Sequence, residues 1–234
     1  MINNFSIVIP CFNESGNLLK LIDSCKKELC SNGVEVILID NGSNDNSDQI
    51  LKTINTQDPL LKTYRIEKNL GYGGGILYGL SKAQGKYIGW THADLQTEPA
   101  DVLRGFELML SDKTFVKGSR VGRSFADNIF TIGMAIFESI ILNMRLWEIN
   151  AQPTIFSKEF FNNWDNPPSD FSLDLYAYAL AKKNNLNIQR FKVFFPERFS
   201  GHSSWNTGIK SKITLIKRTL KFSFELRKNI NHLK

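Results

Sequence analysis

The chain is poor in cysteine and in long apolar runs, and each shortage excludes a class of protein. Only three cysteines occur among 234 residues, Cys11, Cys25 and Cys30. An odd count without paired CxxC spacing indicates neither a disulfide framework nor a structural zinc site, and it fits a reducing cytoplasm. Nowhere do the roughly twenty apolar residues of a bilayer-spanning helix run together. The nearest approach, IFTIGMAIFESIILNM at 129–144, is short and carries Glu138, which argues against an integral membrane protein. The opening MINNFSIVIP has no basic leader and no extended apolar stretch, so it reads as a first strand, and no export is expected. There is no internal repeat and no low-complexity linker.

What remains is ordinary globular composition, 42% hydrophobic and 22% charged, with a formal net charge of +6. This length suffices for one substantial core. The positive balance suits anionic lipid, nucleic acid or a phosphorylated ligand without choosing among them. Because the basic residues are dispersed and no recognition motif accompanies them, no nucleic-acid partner is expected.

Short apolar runs alternate with helical patterns through the first half. FSIVIP (5–10), VEVILID (34–40), KTYRIE (62–67) and KYIGW (86–90) read as strands, with helices near 15–30, 45–56 and 75–84 between them. This βαβα order with near-continuous apolar strands predicts an α/β fold whose mostly parallel sheet is flanked by helices. Sheets of this kind bind ligands at the carboxyl ends of their strands. The residues there are Pro10, Asn13 and Glu14, then Asp40, Asn41, Ser43 and Asp45, then Asn69 and Gly71, then His92, Asp94 and Gln96. Each group alone has a plainer explanation: NGSND also makes a turn and a helix cap, and NLGYGGG also suits a flexible loop.

The stretch GKYIGWTHADLQTEP places His92, Asp94 and Gln96 two residues apart. In an extended chain that spacing points all three to one side, which suits an oxygen-rich cation site. Magnesium takes one or two carboxylates and completes its shell with water and phosphate, while manganese also accepts imidazole. The plainer account is that these residues end the strand and Thr97 caps a helix starting near Pro99.

Taken together, SIVIPCFNE, VEVILIDNGSNDNS, KNLGYGGGILYGLSKAQGKYIGWTHADLQTEP and RFSGHSSW resemble the successive motifs of family 2 glycosyltransferases. The similarity is greatest to those resembling dolichol-phosphate mannose synthase and bacterial polyprenyl-phosphate glycosyltransferases. It implies a GT-A (Rossmann-like) fold that binds a UDP- or GDP-linked sugar with Mg or Mn and transfers the sugar with inversion to a lipid phosphate or glycan acceptor. By the same resemblance Pro10, Asn13 and Glu14 lie along the nucleotide pocket with Ser43, Asp45, Asn69 and Gly71 nearby, and Asp40 accepts a hydrogen bond from the base. Asp94 and Gln96 hold the metal. Two departures stand out: His92 replaces the first acidic residue of the usual Asp-x-Asp, and Asp40-Asn41 replaces paired aspartates. His92 is therefore open to roles at metal, sugar or ribose, or to packing.

Further along, TFVKGSR (114–120) reads as a strand leading into Lys117, Ser119, Arg120 and Arg123, either a phosphate-binding cluster or a solvated basic turn. The family assigns this region to the acceptor, which favours Arg120. Residues 129–144 carry Ile129, Ile132, Gly133, Ile136, Phe137, Ile140, Ile141 and Met144 on one broad helical face, more commonly a core face; in the family it is a region that can meet a membrane. Arg198, Gly201 and Ser203 match the family's R-x-x-G-x-S loop over the substrate, and Asp174 or Asp170 is the carboxylate available as a base if the acceptor is a hydroxyl.

Residues 209–228 read as an amphipathic helix, with Ile209, Ile213, Ile216, Leu220 and Phe224 along one stripe flanked by Leu215, Phe222 and Leu226, and Lys210, Lys217, Arg218, Lys221 and Lys228 on the other side. Such a helix can lie on an anionic membrane or pack on its own domain. The expected organisation is a catalytic domain over 1–208 followed by a basic amphipathic helix and tail over 209–234, cytoplasmic and peripheral on the cytoplasmic face of a membrane. A nucleotidyltransferase is a weaker alternative because no glycine- and arginine-rich phosphate loop follows the first strand. A catalytically weak membrane-associated scaffold is the alternative from a different class.

Overall fold

Fifteen elements follow one another in the computed structural model, which describes residues 4–54, 58–123, 125–196 and 209–230. In order they are β1 (Phe5–Cys11), α1 (Ser15–Glu28), β2 (Glu35–Asn41), α2 (Ser47–Thr53), β3 (Leu61–Ile66), α3 (Gly71–Lys82), β4 (Tyr87–Trp90) and α4 (Pro99–Phe106). The second half adds β5 (Thr114–Val121), α5 (Phe125–Leu142), β6 (Thr154–Ser157), α6 (Lys158–Asn162), α7 (Leu173–Lys183), β7 (Asn187–Phe194) and α8 (Ile209–Asn229). A short 3-10 turn at Cys30–Asn32 closes α1.

All seven strands join one sheet in the order β3-β2-β1-β4-β6-β5-β7. β1 pairs in parallel with β2 and β4, β2 with β3, and β5 with β7. β6 runs antiparallel to both its neighbours. At four residues it is too short to show a periodicity in sequence.

Alternate residues feed two separate cores, as period-two strands buried on both faces require. Val8, Ile37, Ile39 and Trp90 face Ile76 and Leu80 of α3 and the apolar side of α7. Phe5, Ile7, Ile9, Val36 and Leu38 face Leu18, Leu21 and Cys25 of α1, together with Leu51 and Val102. Close helix approach on the first face depends on Gly79, where a Cβ would lie 2.3 Å from Val8 Cγ1. The cysteines are reduced and buried, and burial pushes the Cys30 thiol up to about 12.

Four local expectations differ from what is found. The glycine run of NLGYGGG is no loop, because α3 begins at Gly71. Lys117 and Arg120 lie within β5 rather than after it, and Lys117 is fully buried. On α5 the expected broad face is split: Ile129, Ile132, Ile136 and Ile140 stay uncovered, Ile141 and Met144 pack partly on the core, and Ala135, Glu138 and Leu142 point inward. On α8 the buried line runs through Ser223, Leu226 and Ile230, leaving Phe224 half exposed against Phe137, with ring centroids 6.5 Å apart. Periodicity locates an apolar face but not its partner, and here the partner surface selected a neighbouring face.

α8 packs on α5 and reaches back to the loop before α7. Leu226 and Ile230 enter the same core as α3 and α7, Arg218 pairs with Asp170 at 3.0 Å, and Arg227 donates to the Ile141 carbonyl. Between the two helices Glu138 is 1% exposed and faces Ser223, and burial pushes its carboxyl up to about 7. A group whose folded-state value is raised stabilises the fold below its unfolded value, near 4.5, and that contribution is lost as pH rises through about 7. Glu138→Gln should therefore match the parent near pH 5 and exceed it by roughly 1–3 kcal/mol at pH 8. Urea unfolding at the two pH values checks this; an equal gap at both would show that the fold does not raise the Glu138 carboxyl.

Candidate active site

The parallel register brings four loops to one edge. Cys11 stands opposite Asp40, Val8 opposite Trp90, and Asn41 opposite Ile66, so β1, β2, β3 and β4 all release their following residues on the same side. Pro10, Asn13, Glu14, Asp40, Ser43, Asp45, Asn69, Gly71, His92, Asp94 and Gln96 all lie at or just beyond these ends.

The loops after β1 and β2 are stitched together. The Asn13 amide donates to Ser43 Oγ at 3.0 Å, and the Asn44 amide returns a bond to Asn13 Oδ1 at 2.8 Å. The Glu14 amide donates to Ser47 Oγ at 3.1 Å. Asp45 accepts from the amides of Ser15 (3.1 Å) and Ser47 (2.9 Å), and these hydrogen bonds hold its carboxyl below the usual range against the opposing effect of burial. Asn13 sits at φ +56°, a left-handed conformation that asparagine tolerates. Asp40 is buried, with Oδ1 bound by the Ser43 amide at 3.0 Å and Oδ2 by Arg65 at 2.6 Å; Arg65 also pairs with Asp48 at 2.8 Å. Arg65 was not distinguishable in sequence from any other strand cation, because its carboxylate partners lie 17 and 25 positions away.

Asn41 explains itself by geometry. Its Oδ1 accepts from the Leu70 amide at 3.1 Å while its Nδ2 donates to the Gly71 carbonyl at 2.9 Å. An aspartate has no donor for the second bond. Beyond it the glycines serve close backbone approach to residues 168–170. Gly71 lies at φ +82°, a Cβ there would stand 2.6 Å from the Ser169 carbonyl oxygen, and a Cβ on Gly73 would meet the carbonyls of Pro168 and Asp170. The Gly74 amide donates to the Ser169 carbonyl at 2.8 Å.

β4 ends at Trp90, and Leu95 adopts φ +59°, so the extended alternation that would aim His92, Asp94 and Gln96 to one side is not maintained. Asp94 is buried and its Oδ1 accepts from the Gln96 amide at 3.1 Å; Gln96 Nε2 donates to the Pro196 carbonyl at 2.8 Å. The His92 ring lies 6.2 Å from that of Tyr72. No group of three His, Cys, Asp or Glu side chains that could hold a metal occurs among the described residues. The donor set here is thus one carboxylate with an amide, which fits magnesium or manganese only when ligand phosphate and water supply most of the shell.

On the other side of the edge, Arg120 pairs with Glu148 at 2.7 Å and lies 5.6 Å above the Phe195 ring, while Arg123 donates to Thr131 at 2.7 Å. Asp174 sits in the first turn of α7, buried, with Oδ2 accepting from the Tyr72 hydroxyl at 2.9 Å. Arg198 and Ser203 lie outside the described residues. Gln152 and Glu148 had no motif to announce them, and Tyr72, though it lies within NLGYGGG, had no role there, since each acquires its neighbour only through the fold.

Comparison with known proteins follows the same lines. The family model described as glycosyl transferase family 2 matches residues 6–175. An undecaprenyl-phosphate 4-deoxy-4-formamido-L-arabinose transferase from Yersinia pestis (strain Pestoides F) is 36% identical over 108 residues, covering 44% of this chain and 32% of its own length. Its counterpart from Proteus mirabilis is 34% identical over the same span. The match therefore spans about a third of those curated relatives. Among solved structures, glucosyl-3-phosphoglycerate synthase from Mycobacterium tuberculosis in complex with Mn2+, UDP-glucose and phosphoglyceric acid superposes with a TM-score of 0.71 at 15% identity, over 94% of this chain and 80% of that one. A mannosyltransferase from Pyrobaculum calidifontis in complex with GDP-mannose and Mn2+ gives 0.63 at 15%, over 84% and 58%.

A mostly parallel sheet with polar loops gathered at one edge is the GT-A arrangement of these neighbours. The chain belongs to glycosyl transferase family 2.

Because Asn41 both donates and accepts across the β2 and α3 loops, Asn41→Asp should cost about 1–3 kcal/mol of stability, whereas an exposed control such as Asn166→Asp should cost little. Chemical denaturation of the two variants checks this; equal stability would mean that the Gly71 carbonyl finds another donor.

Proposed function

We propose that the chain transfers a sugar, with inversion, from a UDP- or GDP-linked donor to a polyprenyl phosphate or lipid-linked glycan at a membrane surface. The observation that carries the acceptor side is the uncovered face of α5. Ile129, Ile132, Ile136 and Ile140 are 55%, 38%, 54% and 70% exposed, a larger contiguous apolar row than a surface helix normally leaves in water. Trp147 stands half exposed nearby, and α8, which packs on α5, carries the exposed cations Lys217, Arg218, Lys221, Arg227 and Lys228. Apolar side chains flanked by cations suit an anionic bilayer surface.

In this reading the nucleotide lies along Pro10, Asn13, Glu14, Asp40, Ser43 and Asp45, with Asn69 and Gly71 at the pocket edge. Asp94 and Gln96 hold a divalent cation, and His92 stands on the sugar side. When bound, that cation neutralises charge gathering on the nucleoside diphosphate as it leaves. The stitched loops hold these groups in place before the donor arrives, which reduces the ordering cost of binding. A lipid phosphate is already ionised near neutral pH and needs no strong base, so the acceptor side has only to orient it. Arg120, fixed by Glu148 and Phe195, serves that task together with Arg198 and Ser203.

Calorimetric titration of UDP and GDP, each with and without Mn2+, should show cation-dependent binding of one nucleotide, and Asp94→Ala should abolish the cation dependence while leaving the fold intact. Unchanged metal-dependent affinity in Asp94→Ala would remove the assignment, and no binding of either nucleotide would favour the scaffold role. For the acceptor side, flotation with anionic vesicles should recover the protein, and joint Ile136→Glu and Ile140→Glu should weaken that partition at least about tenfold. Equal flotation of the double variant would refute docking through α5.

A further inference from the structure

Behind the pocket edge lies a buried polar group that the transfer reading does not use. Lys117 of β5 is fully buried; its Nζ donates to Thr154 Oγ1 at 2.9 Å and lies 3.5 Å from Asp174 Oδ1. The other carboxylate oxygen takes the Tyr72 hydroxyl proton at 2.9 Å, and Gln152 Nε2 donates to the same hydroxyl. The Tyr72 ring stacks on Phe171 at 4.7 Å and 14°, and the His92 ring centroid lies 6.2 Å from it.

We propose that the Lys117–Asp174 pair makes Asp174 a positioning residue, which fixes Tyr72 and through it the His92 ring at the donor site, rather than the proton acceptor of the transfer. This rests on the transfer reading above. A general base must come within hydrogen-bond reach of the acceptor proton. Asp174 is 1% exposed and its two oxygens are turned inward, one to Tyr72 and one to Lys117. The cation is retained despite its setting. Burial, assisted by Arg190 and Arg120, pulls Lys117 down to about 8 against the opposing pull of Asp174, so near neutral pH it remains charged and faces one anion. Tyr72 is held as the neutral phenol, since burial and then Asp174 push its ionisation well up. It is therefore a donor with a single direction, and that direction sets the ring plane presented to His92.

Two variants test this without leaving a lone buried charge. Tyr72→Phe keeps the ring and removes only the hydroxyl, and Lys117→Met with Asp174→Asn removes both charges while the Asn oxygen still accepts from Tyr72. The chain has three histidines, so the His92 imidazole signal can be assigned by substitution and followed by NMR at fixed pH. In Tyr72→Phe that signal should shift and turnover should fall, with donor affinity within about threefold of the parent. The neutral double variant should keep the parent His92 signal and turnover within about tenfold, against the roughly hundred- to ten-thousandfold loss expected on removing a general base. An unmoved His92 signal in Tyr72→Phe, or loss of more than a hundredfold in a folded double variant that still binds donor, overturns the proposal. The resonance reads coupling whether or not any donor is turned over, so failure of the transfer reading leaves a separate signature. Tyr72→Phe decides alone if the double variant does not fold.

Discussion

The parallel register of β1, β2, β3 and β4 is the constraint on which the rest of the molecule depends. Parallel strands joined by crossover helices release every βα loop on the same side, so one topological choice collects polar residues from positions 10 to 96 at a single edge. That edge would be a loose fringe without the cross-loop hydrogen bonds. Ser43, Asp45 and Ser47 bind the backbone of the β1 loop, while Asn41 binds the backbone leading into α3. Side chains that resemble ordinary turn formers in sequence hold neighbouring loops here as well as their own.

Electrostatics divides the edge into two kinds of carboxylate. Asp40 and Asp45 are held by amides or a guanidinium and act as struts. Asp94 stands on the loop after β4, where its Oδ1 accepts from the Gln96 backbone amide. On the opposite flank Arg120 is oriented by Glu148, with its guanidinium over the Phe195 ring.

Much of this was legible in sequence because the informative signals were local. Apolar strands of near-continuous character announced a parallel sheet, and the ordered motifs marked the loops that carry the candidate site. What escaped was non-local. β6 is four residues long, Arg65 gains its meaning only beside Asp40 and Asp48, and Lys117 reads as a surface cation until the sheet encloses it. The isoleucine row of α5 shows the limit most clearly: its period was plain, yet period alone could not say that the opposite face of the helix would turn inward. For His92, Asp94 and Gln96 the two-residue spacing was real, but Leu95 bends the chain where an extended strand was assumed.

The contact between the start of α3 and residues 168–170 has one more consequence. With Gly71 and Gly73 pressed on those carbonyls and the Gly74 amide bound to Ser169, the two segments have no slack and move as one body. Arg218 of α8 grips the same body through Asp170. A continuous set of contacts therefore joins α8, through Asp170 and the start of α3, to the Tyr72 ring beside His92, so segments far apart in sequence share one hydrogen-bonded and ion-paired seam.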